Sequence, residues 1–460
     1  MIYKINRYGA KTDGSISTSA IQKAIDDCFE NGGGTVVVPM GDYVTGGLRI
    51  RSGVRLHLEK NAHLIGSRNP DDYLGFLNDK LEPVKEEDKT NDVWRPCEER
   101  SSYNFMTKCA GKWNNALIRA IDAENIAITG EKGSYIDGKD CFDEKGEENY
   151  RGPHAINFHR CKNIKLSGYK IQNSANWAHA LFDCDNIKMD NVIVEAGHDG
   201  CHFRNCKNIR ICKCEFYTGD DAVAGFANLN VVVRDCIVNT ACNGFRFGGT
   251  NVLIERCCIF GPGKFLHRLS LSDGEKREGK RSERRLNHRF NTLSAFTYFA
   301  CLSHEIEDEP GNIVIKDCNI DNVKYFINYN FDHDVFQNNK PTTDITIKNI
   351  TAKNIHLPIT MCGSNDVPVK FKITDSDIEF AVDRATAQND NESVIEEEFI
   401  KADNFAEILL ENVNIDGFFG NTLIKSWSKK GEIVCENLHC NNFSGAIRTN
   451  VDEKYECETI

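Results

Sequence analysis

The sequence predicts an all-β protein built as a right-handed parallel β-helix, and two observations lead to this prediction. First, an Asn followed by Ile or Val recurs at Asn163, Asn186, Asn208, Asn230 and Asn251, with spacings of 23, 22, 22 and 21 residues. Second, apolar and polar residues alternate after each Asn, as expected for strands with one buried face. A period of about 22 residues indicates a solenoid, and the lack of repeated Leu positions argues against a leucine-rich repeat.

Each repeat is predicted to form one coil of short strands joined by turns. Neighbouring coils would pair in parallel about 4.8 Å apart, with the repeated asparagines stacked as a ladder at one turn. A solenoid grows by adding coils and does not need to split into domains. We therefore predict a single β-helix domain over residues 1–460, although the length alone would favour about three domains.

An N-terminal cap is predicted over residues 1–34. Ser19 and Gln22 have the spacing of a capping box, and the residues that follow form one apolar helical face. The Asn-Gly-Gly-Gly run at 31–34 would end this helix, and Thr35 would begin the first strand.

Three segments interrupt the repeat and are predicted to be long loops or insertions, namely residues 67–115, 264–300 and 384–398. Long loops on a regular scaffold often carry function.

Composition narrows the class of protein. The net charge of −12 argues against nucleic acid as the main partner. No run of about 18 apolar residues is present, so no transmembrane helix is predicted. The first residues lack an apolar signal core, which favours a cytoplasmic location with the 20 cysteines reduced. The cysteines recur singly in strand-like runs, which favours structural thiols over a zinc site.

A column of polar residues lies 13 positions after successive anchoring asparagines, at Asn176, Asp199, Asp221 and Asn243. If the coils are in register, Asp199 and Asp221 lie on adjacent coils, and Asp220 is next to them. Carboxylates this close cannot all ionise freely, so at least one pKa is expected to rise. We predict that these three aspartates are catalytic, against the alternative of a solvated Gly-Asp-Asp turn.

A second column, 16 positions after the anchors, contains His179, His202 and Arg246. Beside the carboxylates, these side chains are predicted to form a substrate-binding wall, and Trp177 could stack on a sugar ring. The alternative is that the histidines and the Trp are packing residues.

These residues resemble glycoside hydrolase family 28, the polygalacturonase-like enzymes. The resemblance covers roughly residues 1–350 and rests on the stretches 8–14, 123–126, 173–177, 198–200 and 219–221. It implies inverting hydrolysis by an aspartate triad, with Asp220 as the general acid and with Asp199 and Asp221 activating water. Such a division needs one protonated carboxyl and one ionised carboxylate.

The chain departs from the family pattern at two motifs. The family's Asn-Thr-Asp reads Gly-His198-Asp199 here, so His198 is predicted to contact substrate. Its Gly-His-Gly reads Cys-Asn243-Gly, so Asn243 replaces a histidine. No stretch clearly matches the Arg-Ile-Lys motif that holds the substrate carboxylate, a function for which Arg246 could partly substitute. A changed substrate is therefore expected, and polygalacturonate is expected to be a poor one.

The predicted function is hydrolysis of a plant- or host-derived oligosaccharide, such as a pectin fragment. Long loops blocking one end of the groove would favour exo-action, and no cofactor or metal is expected. One alternative is the same fold acting as a lyase, epimerase or transglycosylase. Another is a carbohydrate-binding β-helix without catalysis.

Overall fold

The computed structural model describes residues 1–73, 115–278, 288–300, 309–331, 333–334, 337–381, 398–418, 422–427 and 431–441. These residues belong to two compact units. The first is Met1–Asp220 with Phe265–Glu283, and the second is Asp221–Lys264 with Arg284–Ile460. The predicted single domain over 1–460 remains a prediction. Within the described ranges, every helix is too short or too polar to span a membrane.

The predicted fold class is confirmed, because each unit is a right-handed parallel β-helix. In the first unit, three stacks of parallel strands share a lumen filled by residues such as Ile164, Ile187 and Ile209, which pair in register and are buried. Burying one such side chain stabilises the fold by about 1.5–3 kcal/mol.

The first unit contains eighteen described strands: β1 (Ile2–Lys4), β2 (Gly34–Val38), β3 (Gly41–Thr45), β4 (Leu48–Arg49), β5 (Val54–Leu58), β6 (Ala62–Gly66), β7 (Ala116–Ile121), β8 (Glu124–Gly130), β9 (Tyr135–Asp137), β10 (His154–His159), β11 (Lys162–Ser167), β12 (Lys170–Gln172), β13 (His179–Phe182), β14 (Asp185–Asp190), β15 (Ile193–Ala196), β16 (Cys201–Arg204), β17 (Lys207–Cys212) and β18 (Glu215–Thr218). Its described helices are α1 (Thr18–Glu30), α2 (Asp273–Glu278) and four short 3-10 helices at Ile5–Tyr8, Pro70–Tyr73, Glu147–Asn149 and Arg268–Ser270.

The second unit has the same type of architecture, with fifteen described strands: β19 (Val223–Arg234), β20 (Ile237–Thr240), β21 (Asn243–Glu255), β22 (Cys258–Phe260), β23 (Thr292–Thr297), β24 (Gly311–Lys316), β25 (Asn319–Asn330), β26 (Asp344–Lys348), β27 (Thr351–Leu357), β28 (Ile359–Cys362), β29 (Val369–Phe380), β30 (Glu398–Asp403), β31 (Phe405–Asp416), β32 (Thr422–Ser426) and β33 (Glu432–Cys440).

The repeated asparagines adopt the left-handed backbone conformation, which Asn tolerates better than most residues. In the first unit, Asn186 donates from Nδ2 to Oδ1 of Asn163 at 2.7 Å, so these two form the predicted ladder. Asn208 donates from Nδ2 to Oδ1 of Asp185 at 2.8 Å. In the second unit, Asn251 donates to Asn230 at 3.1 Å.

The predicted cap helix exists, but the predicted capping box is wrong. Helix α1 begins at Thr18 with Ser17 as N-cap, so Ser19 lies inside the first turn. Gln22 does not turn back to the helix start. Its side chain donates to the backbone oxygen of Arg49 and accepts from the Arg49 amide, at 3.1 and 2.8 Å. Gln22 thereby ties α1 to β4.

The predicted insertions are described in part. In the first, residues 74–114 lie outside the described residues, and in the second, residues 279–287 do. The rest of the second contains a short 3-10 helix, α2 and β23. The polar segment at 384–398 lies outside them except for its last residue.

All sixteen cysteines in the described ranges are free thiols, and most are buried, as predicted. They stack along the coils in places. The amide of Cys161, for example, lies 3.4 Å from Sγ of Cys184.

Candidate active site

The turn between β15 and β16, which contains Asp199, is one residue shorter than the equivalent turn in the coil before it. Strand β12 pairs with β15 at an offset of 23 residues, but β13 pairs with β16 at an offset of 22. His202 therefore lies opposite Ala180. The predicted stack of His179 on His202 is wrong, because counting from the anchoring asparagines misses this deletion in the turn.

Asp199 is buried and held by an imidazole. Its Oδ2 lies 3.0 Å from Nδ1 of His202, and its backbone oxygen accepts from the amide of Ala178 at 2.9 Å. The His202 ring stacks face to face on Trp177, with centroids 3.8 Å apart. Trp177 is 5% exposed, so in this conformation its ring packs against protein.

Asp220 is held by a guanidinium. Arg268 donates from Nε to Oδ2 of Asp220 at 2.6 Å, and Nε2 of His267 lies 3.8 Å from Oδ1. Burial raises the pKa of Asp220, but the charges of Arg268, His267, Arg151 and His198 together hold that pKa well below its usual range. The expectation that Asp220 is the protonated member is therefore wrong for this conformation, because it considered the neighbouring carboxylates and not the cations.

Arg268 belongs to a largely buried network of alternating charges. Its Nη1 lies 2.9 Å from Oε1 of Glu148, whose Oε2 accepts from Nε of Arg151 at 2.9 Å. Arg151 in turn donates from Nη1 to Oδ1 of Asn176 at 2.9 Å. Asn176 completes the network by donating from Nδ2 to Glu147 at 3.1 Å. The predicted substrate ligand Asn176 is thus a buried member of this network.

Two irregular segments join beside Asp220. Besides Arg268 and Glu148, Arg277 binds Glu144 at 2.7 Å, and Nζ of Lys276 lies 4.6 Å from the centre of the Tyr150 ring. The segment before β10 is therefore cross-linked to the segment that holds α2.

His179 and His198 are both fully buried. Nδ1 of His179 lies 3.0 Å from the Gly200 carbonyl oxygen, and its Nε2 lies 3.1 Å from the Tyr169 hydroxyl. Burial lowers the pKa of His179 to about 4, so the ring is neutral near pH 7. His198 stacks on Tyr150, with centroids 5.9 Å apart. Their predicted contacts with substrate remain predictions, which this burial does not favour.

In the second unit, Asp221 is fully buried and bound on both oxygens. Oδ1 accepts from Nδ2 of Asn243 at 2.7 Å, and Oδ2 accepts from Nη1 of Arg246 at 2.9 Å. Asn243 is itself oriented, because its Oδ1 accepts from the Ser294 hydroxyl at 2.6 Å. The spacing of 22 residues between Asn208 and Asn230 predicts that Ala224 lies opposite Arg246, and this register is confirmed. Arg246, expected to hold a substrate carboxylate, is here a partner of Asp221.

Asp199 and Asp220 lie in the first unit and Asp221 in the second. The catalytic triad, its substrate wall and the expected absence of a metal or cofactor remain predictions. The charged residues Glu147, Glu148, Arg151 and Arg268 were not predicted from the sequence. Arg268 could have been suspected, because it lies in the predicted insertion at residues 264–300. The other three lie in an irregular stretch without periodicity, which gave no indication of a function.

Comparison with known proteins supports the predicted resemblance. Residues 92–247 match the family model described as glycosyl hydrolases family 28. The exo-poly-alpha-D-galacturonosidase of Dickeya chrysanthemi is 25% identical over 253 residues, which are 48% of this chain and 41% of that protein. Mannuronan C5-epimerase AlgE2 of Azotobacter vinelandii is 34% identical over 145 residues, which are 31% of this chain and 13% of that protein. The chain thus spans less than half the length of these curated relatives.

Among solved structures, the hyperthermoactive exopolygalacturonase from Thermotoga maritima has a TM-score of 0.64 at 20% identity. The alignment covers 91% of this chain and 92% of that one. At this identity the likeness supports the fold, so the chain is similar to polygalacturonases in fold and, over part of its length, in sequence.

Proposed function

We propose that this chain is a glycoside hydrolase that removes the terminal unit of a pectin-derived, uronate-containing oligosaccharide. The observation that carries the proposal is the pair of buried carboxylates Asp199 and Asp220. Each has its own partner, and both lie inside the span that matches the hydrolase family model. Cytoplasmic action on an imported fragment is part of the proposal, and the free thiols of the described residues support it.

The proposed reaction is acid–base hydrolysis with inversion. Asp220 gives a proton to the glycosidic oxygen while Asp199 and Asp221 remove a proton from the attacking water. The bond between the anomeric carbon and the leaving oxygen breaks as the bond to water forms. Proton exchange with solvent then restores both carboxyl groups.

Asp220 can serve as the acid only after Arg268 leaves it, because the ion pair at 2.6 Å keeps the carboxylate ionised. A uronate carboxylate is a group that can compete for Arg268, since guanidinium binds carboxylates bidentately. We therefore assign Arg268 a positioning role, in which substrate binding releases Asp220. End-on cleavage is supported by the cross-link between the two irregular segments beside Asp220.

A second candidate is C5 epimerisation or elimination on a uronate, and one observation favours it. The chain is similar to a mannuronan C5-epimerase over 145 residues. A third candidate, sugar binding without catalysis, predicts no turnover at all.

Mass spectrometry of oligogalacturonide digests separates these candidates. Hydrolysis adds one water per bond cleaved, and oxygen-18 from labelled water appears in the product. Elimination gives a product lighter by one water, and epimerisation in heavy water incorporates deuterium without cleavage. Release of monosaccharide with solvent oxygen supports the proposal, and an unsaturated or deuterated product contradicts it.

A further inference from the structure

A small polar pocket in the first unit has no role in the mechanism described above. It is lined by Asn115, Asp143, Glu147, Arg151 and Asn176, among others. All five side chains are more than nine-tenths buried. A buried cluster of this polarity is costly to form unless its groups are paired, so a ligand that completes the pairing would stabilise it.

Asn115 supplies the unpaired group. Its Oδ1 is buried and accepts no hydrogen bond in the described part of the chain, and the residue is only 4% exposed. The group that fills the pocket must therefore donate a hydrogen bond. A carboxylate cannot do so, and it would also face the acidic side chains of Asp143 and Glu147.

The size of the pocket limits the occupant further. The centre of a water-sized group can occupy only about 10 Å³ of the pocket, which is close to the minimum that holds one such group. A sugar ring does not fit, but a single hydroxyl does. The wall is tightly built, since a Cβ at Gly146 would collide with the carbonyl oxygen of Arg151.

Glu147 matches a hydroxyl ligand. Burial raises its pKa to about 7 despite the nearby charge of Arg151, so the carboxyl is largely protonated in weakly acidic solution. A protonated carboxyl donates one hydrogen bond. A hydroxyl can accept that bond and donate its own hydrogen to Oδ1 of Asn115.

Two chains of contacts link the pocket to the candidate catalytic aspartates. On one side, Oδ1 of Asn176 accepts from the amide of Trp177 at 3.0 Å, and Trp177 stacks on the histidine that binds Asp199. On the other side, Arg151 reaches Asp220 through Glu148 and Arg268, as described above.

We propose that this pocket is a subsite that takes one hydroxyl of the substrate's terminal sugar, through Asn115 and Glu147. The inference rests on the proposed function and deepens it, because it gives the enzyme a way to recognise a neutral group on the sugar that it releases. The pocket recognises the hydroxyl, while the carboxylate of the same sugar is left to the arginines.

The test compares Asn115→Leu, which keeps the size of the side chain but removes the acceptor, with Asn115→Ser, which keeps an uncharged acceptor oxygen. The dissociation constant of digalacturonate is measured by calorimetry, and KM and kcat are measured with trigalacturonate. We expect Asn115→Leu to weaken binding about tenfold and to raise KM with little change in kcat, as for the loss of one hydrogen bond to a buried partner. Asn115→Ser should stay within about threefold of wild type.

Thermal unfolding of each variant shows whether it is folded. Asn115→Ala replaces the Leu variant if Leu prevents folding, with the same expected loss of affinity. Equal binding by wild type and a folded Leu or Ala variant would mean that the pocket holds only water, and would overturn the subsite while leaving the hydrolase proposal intact. Binding that depends on Asn115 without any turnover would support the subsite and overturn the hydrolase instead. A wild type that neither binds nor cleaves would overturn both.

Discussion

Arg268 binds Asp220 through a 2.6 Å contact between Nε and Oδ2, and the same guanidinium lies 2.9 Å from Glu148. In the second unit, Arg246 holds Asp221 at 2.9 Å. Both members of the adjacent aspartate pair are thus neutralised by an arginine. Because a general acid must carry a proton, the proposed reaction has to begin with displacement of a cation from Asp220.

The first prediction concerns Arg268→Gln. Removing the guanidinium should raise the pKa of Asp220, because its largest opposing charge is lost. A raised pKa keeps the acid protonated to higher pH. The alkaline limb of the pH profile of kcat/KM should therefore move upward by about one unit or more. The measurement is the pH dependence of kcat/KM on trigalacturonate.

The matched control is Arg277→Gln, which changes a half-exposed arginine of the same irregular segment. Its alkaline limb should coincide with that of wild type. An unshifted limb in Arg268→Gln would show that Asp220 does not supply the proton.

The second prediction concerns the carboxylates themselves. Asp220→Asn removes the transferable proton and should lower kcat by a factor on the order of a hundred or more, while digalacturonate still binds. Asp199→Asn should also lower kcat, through loss of water activation. The exposed Asp190→Asn provides a control in the same unit and should behave as wild type. Turnover by Asp220→Asn near the wild-type rate would refute the mechanism and leave the fold untouched.

The third prediction concerns the mode of cleavage. Trigalacturonate should release monosaccharide first, and polygalacturonate should be cleaved slowly, with little early loss of viscosity. Slow cleavage of polygalacturonate is expected because Asn243 stands where the family has histidine. Its side chain is already hydrogen-bonded to Asp221 and Ser294. It is therefore not free to bind a polymer. Chromatography of early products measures this, and rapid production of mid-length fragments would contradict it.

Much of the fold was predictable because period and alternation are repeated many times. The ladder of Asn163 and Asn186 follows from the spacing, since each coil must place its Asn at the same bend. The predicted stack of His179 on His202 is wrong because one residue is missing from a turn. This deletion shifts by one residue the pairing of the strand that follows the turn.

The candidate site was predictable only where it lies on the coils. Asp199 and Asp221 occupy repeated positions, so the period finds them, and Asp220 was found as the chain neighbour of Asp221. Arg268 is 48 residues from its partner Asp220 and lies in a segment without a period. Its contact follows from tertiary packing, and so does the depressed pKa of Asp220 that the sequence could not reveal.

The fourth prediction concerns the thiols. Burial raises the pKa of Cys184 well above its usual value, so little thiolate forms in the native protein. Cys258 is exposed, although partial desolvation also raises the pKa of its thiol. Alkylation of the native protein followed by peptide mapping should therefore modify Cys258 before Cys184 and Cys206. Denaturation without reductant should then expose the latter two as free thiols, whereas a disulfide at either one would contradict the predicted reducing location.

The fifth prediction concerns Glu147, whose pKa is raised to about 7 chiefly by burial. The folded state then binds the proton of Glu147 more tightly than the unfolded state does. The stabilisation of the fold by this proton is complete below about pH 4.5 and is lost as the pH rises through about 7. The free energy of unfolding should fall over this window by about 3 kcal/mol from this group. Glu147→Gln keeps the shape but cannot titrate, so its urea unfolding curves should depend less on pH over the same window. Exposed Glu144→Gln is the control, and an unchanged pH dependence in Glu147→Gln would show that Glu147 is already ionised in the folded protein at mildly acidic pH.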